Sequence, residues 1–102
     1  MEGVYTANEI KEKLEPIFKA APIEKAILFG SYAKGLQTPS SDVDIVIDSR
    51  GKIRGIDFFG VLEDITEALS VQVDLIEASQ IVEGGRAQYE IAKTGVVIYE
   101  RT

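Results

Sequence analysis

Apolar positions along the chain alternate between two periods, and the changes of period divide it into seven elements. Thr6 to Glu9 has the Thr-x-x-Glu form of a capping box, and Ile10, Leu14, Ile17 and Phe18 follow on one helical face. This predicts an amphipathic helix ending near Ala20 or Ala21, with Pro16 inside it expected to kink or split it and Pro22 marking the exit. Lys25 to Phe29, KAILF, is a short apolar run that predicts a buried strand stopping at Gly30-Ser31. A second strand is predicted from Val43 to Ile47, followed by the loop SRGKIRG. From Asp57 to Leu69 the residues Phe58, Val61, Leu62, Ile65, Ala68 and Leu69 share a helical face, with Gly60 a local weakness. VQVDLIE, Val71 to Glu77, predicts a third strand. Gly84-Gly85 breaks the chain before a helix from Arg86 to Thr94, which ends at Gly95, and Val96 to Tyr99 makes a last strand. The order helix, strand, strand, helix, strand, helix, strand predicts an α+β (α/β) domain: one small sheet flanked by helices.

Length and composition restrict what such a domain can do. With 102 residues there is room for a single domain spanning residues 1–102, and 45% apolar against 27% charged residues marks a chain that folds. No apolar run approaches the length of a membrane span, and the first residues lack the pattern of a secretory signal, so a cytoplasmic location and no membrane partner are expected. Cysteine and histidine are both absent. Any catalysis must therefore rest on carboxylates, hydroxyls, lysine, arginine or a hard metal ion. A net charge of −6 argues against direct nucleic-acid binding, which needs clustered cations.

Candidate chemistry is concentrated in GSYAKGLQTPSSDVDIVID, residues 30 to 48. In a strand Asp42, Asp44, Val46 and Asp48 fall on one face and Val43, Ile45 and Ile47 on the other. Asp42 and Asp44 lie about 6.6 Å apart along such a strand, close enough for both carboxylates to reach one metal ion or a close pair. Asp48 is too distant to join them and reads as the strand's end. Asp74, between Val73 and Leu75, is a third carboxylate on an otherwise apolar strand. Three such groups on neighbouring strands repel one another unless a cation sits among them, and with oxygen ligands alone the expected ion is Mg²⁺ or Mn²⁺. The alternative for Asp42 and Asp44 is the exposed face of an edge strand. Gly30 permits a tight turn and a close backbone approach to a ligand, and Ser31 adds a hydroxyl. An ordinary strand-to-helix turn has the same form, and the Walker lysine pattern is missing. Lys34 is a candidate phosphate contact or a surface lysine, and Arg86 a weaker candidate for nucleotide or partner contact. Tyr32, Tyr89 and Tyr99 read as packing residues.

Taken together, Gly30-Ser31, a ten-residue spacer, Asp42-Val43-Asp44 and the later Asp74 in VDLI resemble the signature of the DNA polymerase beta-like nucleotidyltransferase superfamily. The wording is most similar to the minimal nucleotidyltransferases of prokaryotes, and the resemblance runs over nearly the whole chain. It implies a small mixed sheet flanked by helices, the polymerase beta-like nucleotidyltransferase fold. It also implies that Gly30 and Ser31 bind the triphosphate of ATP, and that Asp42, Asp44 and Asp74 hold two Mg²⁺ ions, Asp74 also helping to activate the attacking hydroxyl. Members of this minimal group look like antitoxins partnered with a HEPN-domain toxin, and some transfer AMP to a toxin tyrosine. The resemblance therefore implies a protein adenylyltransferase antitoxin. Two alternatives stay open at this point: a toxin-binding module without catalysis, and a nucleotidyltransferase for a small molecule. The Gly84-Gly85 break departs from the family pattern.

Overall fold

The computed structural model describes residues 4–101. Its elements are α1 (Ala7–Ala20), β1 (Lys25–Phe29), α2 (Ser31–Lys34), β2 (Val43–Asp48), α3 (Ile56–Leu69), β3 (Val73–Glu77), α4 (Arg86–Thr94) and β4 (Val96–Glu100), with a 3₁₀ turn at Ala78–Gln80. The capping box at the start of α1 is formed in both directions. Thr6 Oγ1 accepts from the Glu9 N–H at 3.1 Å and Glu9 Oε1 from the Thr6 N–H at 2.9 Å. Thr6→Ala is expected to cost about 1 kcal/mol of stability by removing one half of that exchange, measurable by denaturant unfolding.

Three features differ from what the sequence predicts. Helix α1 is not split at Pro16 but runs through it as one element. Pro16 sits on the exposed side while Ile10, Leu14 and Phe18 are fully buried, so packing of the apolar face outweighs the one backbone bond that proline removes. Strand β3 begins at Val73 rather than Val71. Helix α3 is capped by Ser70 in the left-handed conformation, φ 57°, and the chain joins the sheet only where the Gln72 carbonyl accepts from the Val43 N–H at 2.9 Å. Tyr89 is not a packing residue: it is 59% exposed, with Lys93 Nζ donating to its hydroxyl. Tyr32 is buried as expected, and Tyr99 packs its ring against Phe18.

The four strands form one mixed sheet in the order β3-β2-β1-β4. Strand β1 pairs antiparallel with both β2 and β4, and β2 pairs in parallel with β3. Val43, Ile45 and Ile47 face a core that they share with Ala26 and Leu28 of β1, the buried stripe of α1, and Val61, Ile65 and Leu69 of α3. Asp44, Val46 and Asp48 lie on the opposite face by the alternation of a strand. Helix α4 packs on that face near its own C-terminus, where a Cβ on Gly95 would lie 2.9 Å from Ile27 Cγ2 and 2.5 Å from the Ile91 carbonyl oxygen. Among the described residues no helix is long and apolar enough to cross a membrane.

Candidate active site

Strand β1 delivers the chain to Gly30, whose φ of 77° and ψ of −153° belong to a region of backbone space open essentially to glycine alone. The Gly30 carbonyl then accepts from the N–H groups of Ala33 and Lys34, each at 3.1 Å, and starts the short helix α2. Phe29 pairs with Asp44 across the β1–β2 ladder, so the Asp44 side chain comes up beside the next residue of β1. A Cβ on Gly30 would run into Asp44 Oδ2 and lie 3.3 Å from Cγ. The glycine is thus required twice, by its dihedrals and by the carboxylate against it. Gly30→Ala is expected to lower stability by about 2 kcal/mol, mostly through backbone strain, and to push Asp44 out of place. A thermal midpoint lower by roughly 8 °C or more would be the corresponding signal.

Strand β2 is interior to the sheet, which removes the edge-strand explanation for its acids. Asp44 and Asp74 occupy paired positions of the parallel β2–β3 ladder, so their carboxyl groups are brought up side by side and Asp74 helps to raise the Asp44 pKa. Asp42, just before β2, is exposed at the same end. All three line a cleft of about 660 Å³, together with Gly30, Ser31 and Lys34. That volume lies within the usual range of small-molecule sites. Burial raises the Asp44 pKa to about 6, and the neighbouring charges of Asp74, Asp42 and Glu90 add to the effect. The site has more negative charge than it can neutralise by itself. Among the described residues no three carboxylates are gathered tightly enough to form a ready-made cation cage, so the acids share a cleft rather than a preformed centre. Asp48, by contrast, stays out of the cleft and accepts from the Arg50 N–H at 3.0 Å, an end-of-strand role.

The far wall of the cleft is α4, which contributes Arg86, Ala87 and Glu90. Helix α4 begins at Arg86 directly after the Gly84-Gly85 turn, as its sequence predicts. Lys34 and Arg86 are the basic residues lining the cleft, and neither belongs to the ion pairs formed among the described residues. Sequence reasoning missed Glu90 and Thr94. Their signal was the four-residue step Arg86, Glu90, Thr94, which places all three on one side of a helix.

Residues 12–102 match the family model described as Polymerase beta, Nucleotidyltransferase. Two candidate protein adenylyltransferases of Methanocaldococcus jannaschii are similar along most of their length. One is 32% identical over 74 residues, covering 72% of this chain and 80% of the relative. The other is 38% identical over 82 residues, covering 74% and 82%. Among solved structures, a toxin–antitoxin complex with AMP-PNP superimposes with a TM-score of 0.77 at 20% identity, over 90% of this chain and 74% of the other. A complex of tri-AMPylated Shewanella oneidensis HEPN toxin with its MNT antitoxin gives 0.72 at 16%, over 94% and 74%. These structures share the fold, a mixed sheet flanked by helices. With the family model covering all but the first residues and relatives above 30% identity over most of their own length, this chain belongs to the polymerase beta nucleotidyltransferase family.

Proposed function

We propose that this chain works as one Mg²⁺-dependent protein adenylyltransferase domain. In this reading it transfers AMP from ATP to a tyrosine of a HEPN-domain toxin and serves as that toxin's antitoxin. The observation that carries this reading is the meeting of Asp42, Asp44 and Asp74 with Gly30-Ser31 in one cleft, at one end of two neighbouring strands. The similarity to candidate adenylyltransferases and to antitoxin complexes, one of them with an AMPylated toxin, points to the same acceptor class.

The residues present suit a hard divalent cation. The acids offer oxygen donors only, and the carboxylates lining the cleft, Asp42, Asp44, Asp74 and Glu90, outnumber its two basic residues, Lys34 and Arg86. Asp42, Asp44 and Asp74 would hold two Mg²⁺ ions. When bound, these ions neutralise charge on the attacking and leaving oxygens of an in-line displacement. The turn that Gly30 shapes presents Ser31 to the triphosphate beside the aspartates, and Lys34 and Arg86 offer charge to the β- and γ-phosphates. The tyrosine oxygen attacks the α-phosphorus, its proton passes to Asp74, and the bond to the bridging oxygen breaks to release pyrophosphate. Each of these roles belongs to a group already lining the cleft.

The test is to incubate the chain with ATP labelled at the α-phosphate, Mg²⁺ and a purified HEPN-domain protein from the same organism. Label on a toxin tyrosine, dependent on Mg²⁺, is the expected result. Label that never leaves ATP, with the toxin nevertheless neutralised, would favour a binding module without catalysis.

A further inference from the structure

Thr94 stands at the C-terminal end of α4, and its hydroxyl faces two ways. It donates to the Glu90 carbonyl one helical turn back, at 2.8 Å, and accepts from the Gly30 N–H at 3.1 Å. Because the donated bond fixes the hydroxyl hydrogen, a lone pair is left aimed at Gly30. The bond joins residues 64 positions apart and is partly buried. Gly30 is therefore held on three sides: by Thr94 at its nitrogen, by α2 at its carbonyl, and by the Asp44 carboxylate where a side chain would be.

This arrangement assigns Gly30 a different part from that of an amide donor. Its N–H is already used, so its contribution to the cleft is the space and backbone direction that bring Ser31 beside Asp44. Thr94 in turn fixes where α4 sits against that turn. Arg86 and Glu90 follow on the same side of the helix at four-residue steps, and both line the cleft. Gly95 tightens the placement, since any Cβ there would meet Ile27 and the Ile91 carbonyl.

We infer that Thr94 is a positioning residue for nucleotide binding, acting through the Gly30 amide: its hydroxyl joins the phosphate-binding turn to the α4 wall of the cleft. The inference rests on the nucleotidyltransferase reading given above. Loss of the hydroxyl leaves the Gly30 N–H unpaired, frees the turn, and lets Ser31, Arg86 and Glu90 drift relative to the three aspartates. The chemistry performed by the aspartates is not touched directly. The effect should fall on ATP affinity more than on turnover.

The experiment compares wild type, Thr94→Val and Thr94→Ser in the full chain, using ATP binding with Mg²⁺, the KM and kcat of transfer, and hydrogen exchange at the Gly30 amide. Thr94→Val is expected to weaken ATP binding and raise KM by about 10-fold with kcat within roughly 3-fold. Exchange at Gly30 should speed up, and Thr94→Ser should recover most of both. Slow Gly30 exchange in wild type is expected in any case, and fast exchange there overturns the inference. Should Thr94→Val fail to fold, Thr94→Ala gives the same comparison without the extra methyl group. Unchanged KM and exchange in the variant without the hydroxyl, or a serine variant no better than the valine one, would also overturn it. A wild-type chain that does not bind ATP overturns the nucleotidyltransferase reading instead, which keeps the two failures apart.

Discussion

Asp44→Asn is expected to reduce adenylyl transfer by on the order of 10³-fold while leaving the metal-free protein at least as stable as its parent. The two halves of this expectation have opposite signs because the same carboxylate that serves the reaction strains the resting site. Burial and the neighbouring charges of Asp74, Asp42 and Glu90 lift its pKa from 3.8 to about 6. A carboxyl raised in the folded state contributes stability that is full below about 3.8 and lost as pH rises through about 6. At neutral pH the ionised group is therefore a net liability to the fold. Since the side chain is only half-buried, solvent screening reduces that liability to about 1 kcal/mol. Asparagine removes the charge with almost no change in shape. Thermal unfolding in chelator from pH 4 to 8 should show a fall through pH 6 in wild type that is reduced in the variant. Added Mg²⁺ should restore stability to wild type alone. A variant that loses activity because it unfolds would contradict this account, since the loss must come with an intact fold.

Most of the site could be read in the sequence because it depends on local spacing. Gly30-Ser31 ends a strand, Asp42 and Asp44 alternate along the next, and Asp74 interrupts an apolar run. All three signals survive in a linear chain. The sequence could not supply the pairings. That Asp44 sits level with Asp74 depends on the register of a parallel ladder with a helix between its strands. That Gly30 must be glycine because Asp44 fills the place of its side chain depends on an antiparallel ladder. The Thr94 bond was hidden for the same reason: the four-residue step with Arg86 and Glu90 gives the side of the helix, but the partner, Gly30, lies 64 positions away. The fold shows a similar division. Both ends of α4 were legible, since Gly85 and Gly95 bracket it. Pro16 misleads because local propensity omits the packing of Leu14 and Phe18, and β3 begins late because leaving α3 uses three residues, Ser70, Val71 and Gln72.

Glu77 shows what composition hides, and its replacement should have the largest effect on stability. Read in sequence it closes a strand, as a charged residue often does. In the fold it is 3% exposed and serves as acceptor for a whole corner. Its Oε2 accepts from the Ser49 N–H at 2.9 Å, the Ser49 hydroxyl at 2.6 Å and the Gly51 N–H at 3.3 Å. Its Oε1 accepts from the Ser79 N–H at 2.7 Å and from the Ser79 hydroxyl. Ser49, itself fully buried, passes the connection on by accepting from the Ile53 N–H at 3.0 Å. One side chain thus holds the loop before α3 against the turn after β3. Burial by itself would raise the Glu77 pKa, but the hydrogen bonds from Ser49 and Ser79 outweigh it and hold the group at about 2. A carboxyl depressed in the folded state contributes stability that is present above its ordinary value of 4.5 and lost as pH falls through about 2. Glu77→Ala strands the buried Ser49 donors, while exposed Ser79 loses its bonds but can turn to water. The change is expected to cost about 3 kcal/mol, a fall in thermal midpoint of more than about 10 °C. Glu77→Gln keeps the shape but turns an amide donor toward two donors, so it should also destabilise, and it should remove this group's share of the acid dependence between pH 4.5 and 2. Asp74 lies toward the opposite end of β3, so ATP binding well below the melting temperature should change by less than about 3-fold. A stable Glu77→Ala variant would mean that water replaces the carboxylate at this corner, and that the corner is held by the apolar packing of Ile53 rather than by charge.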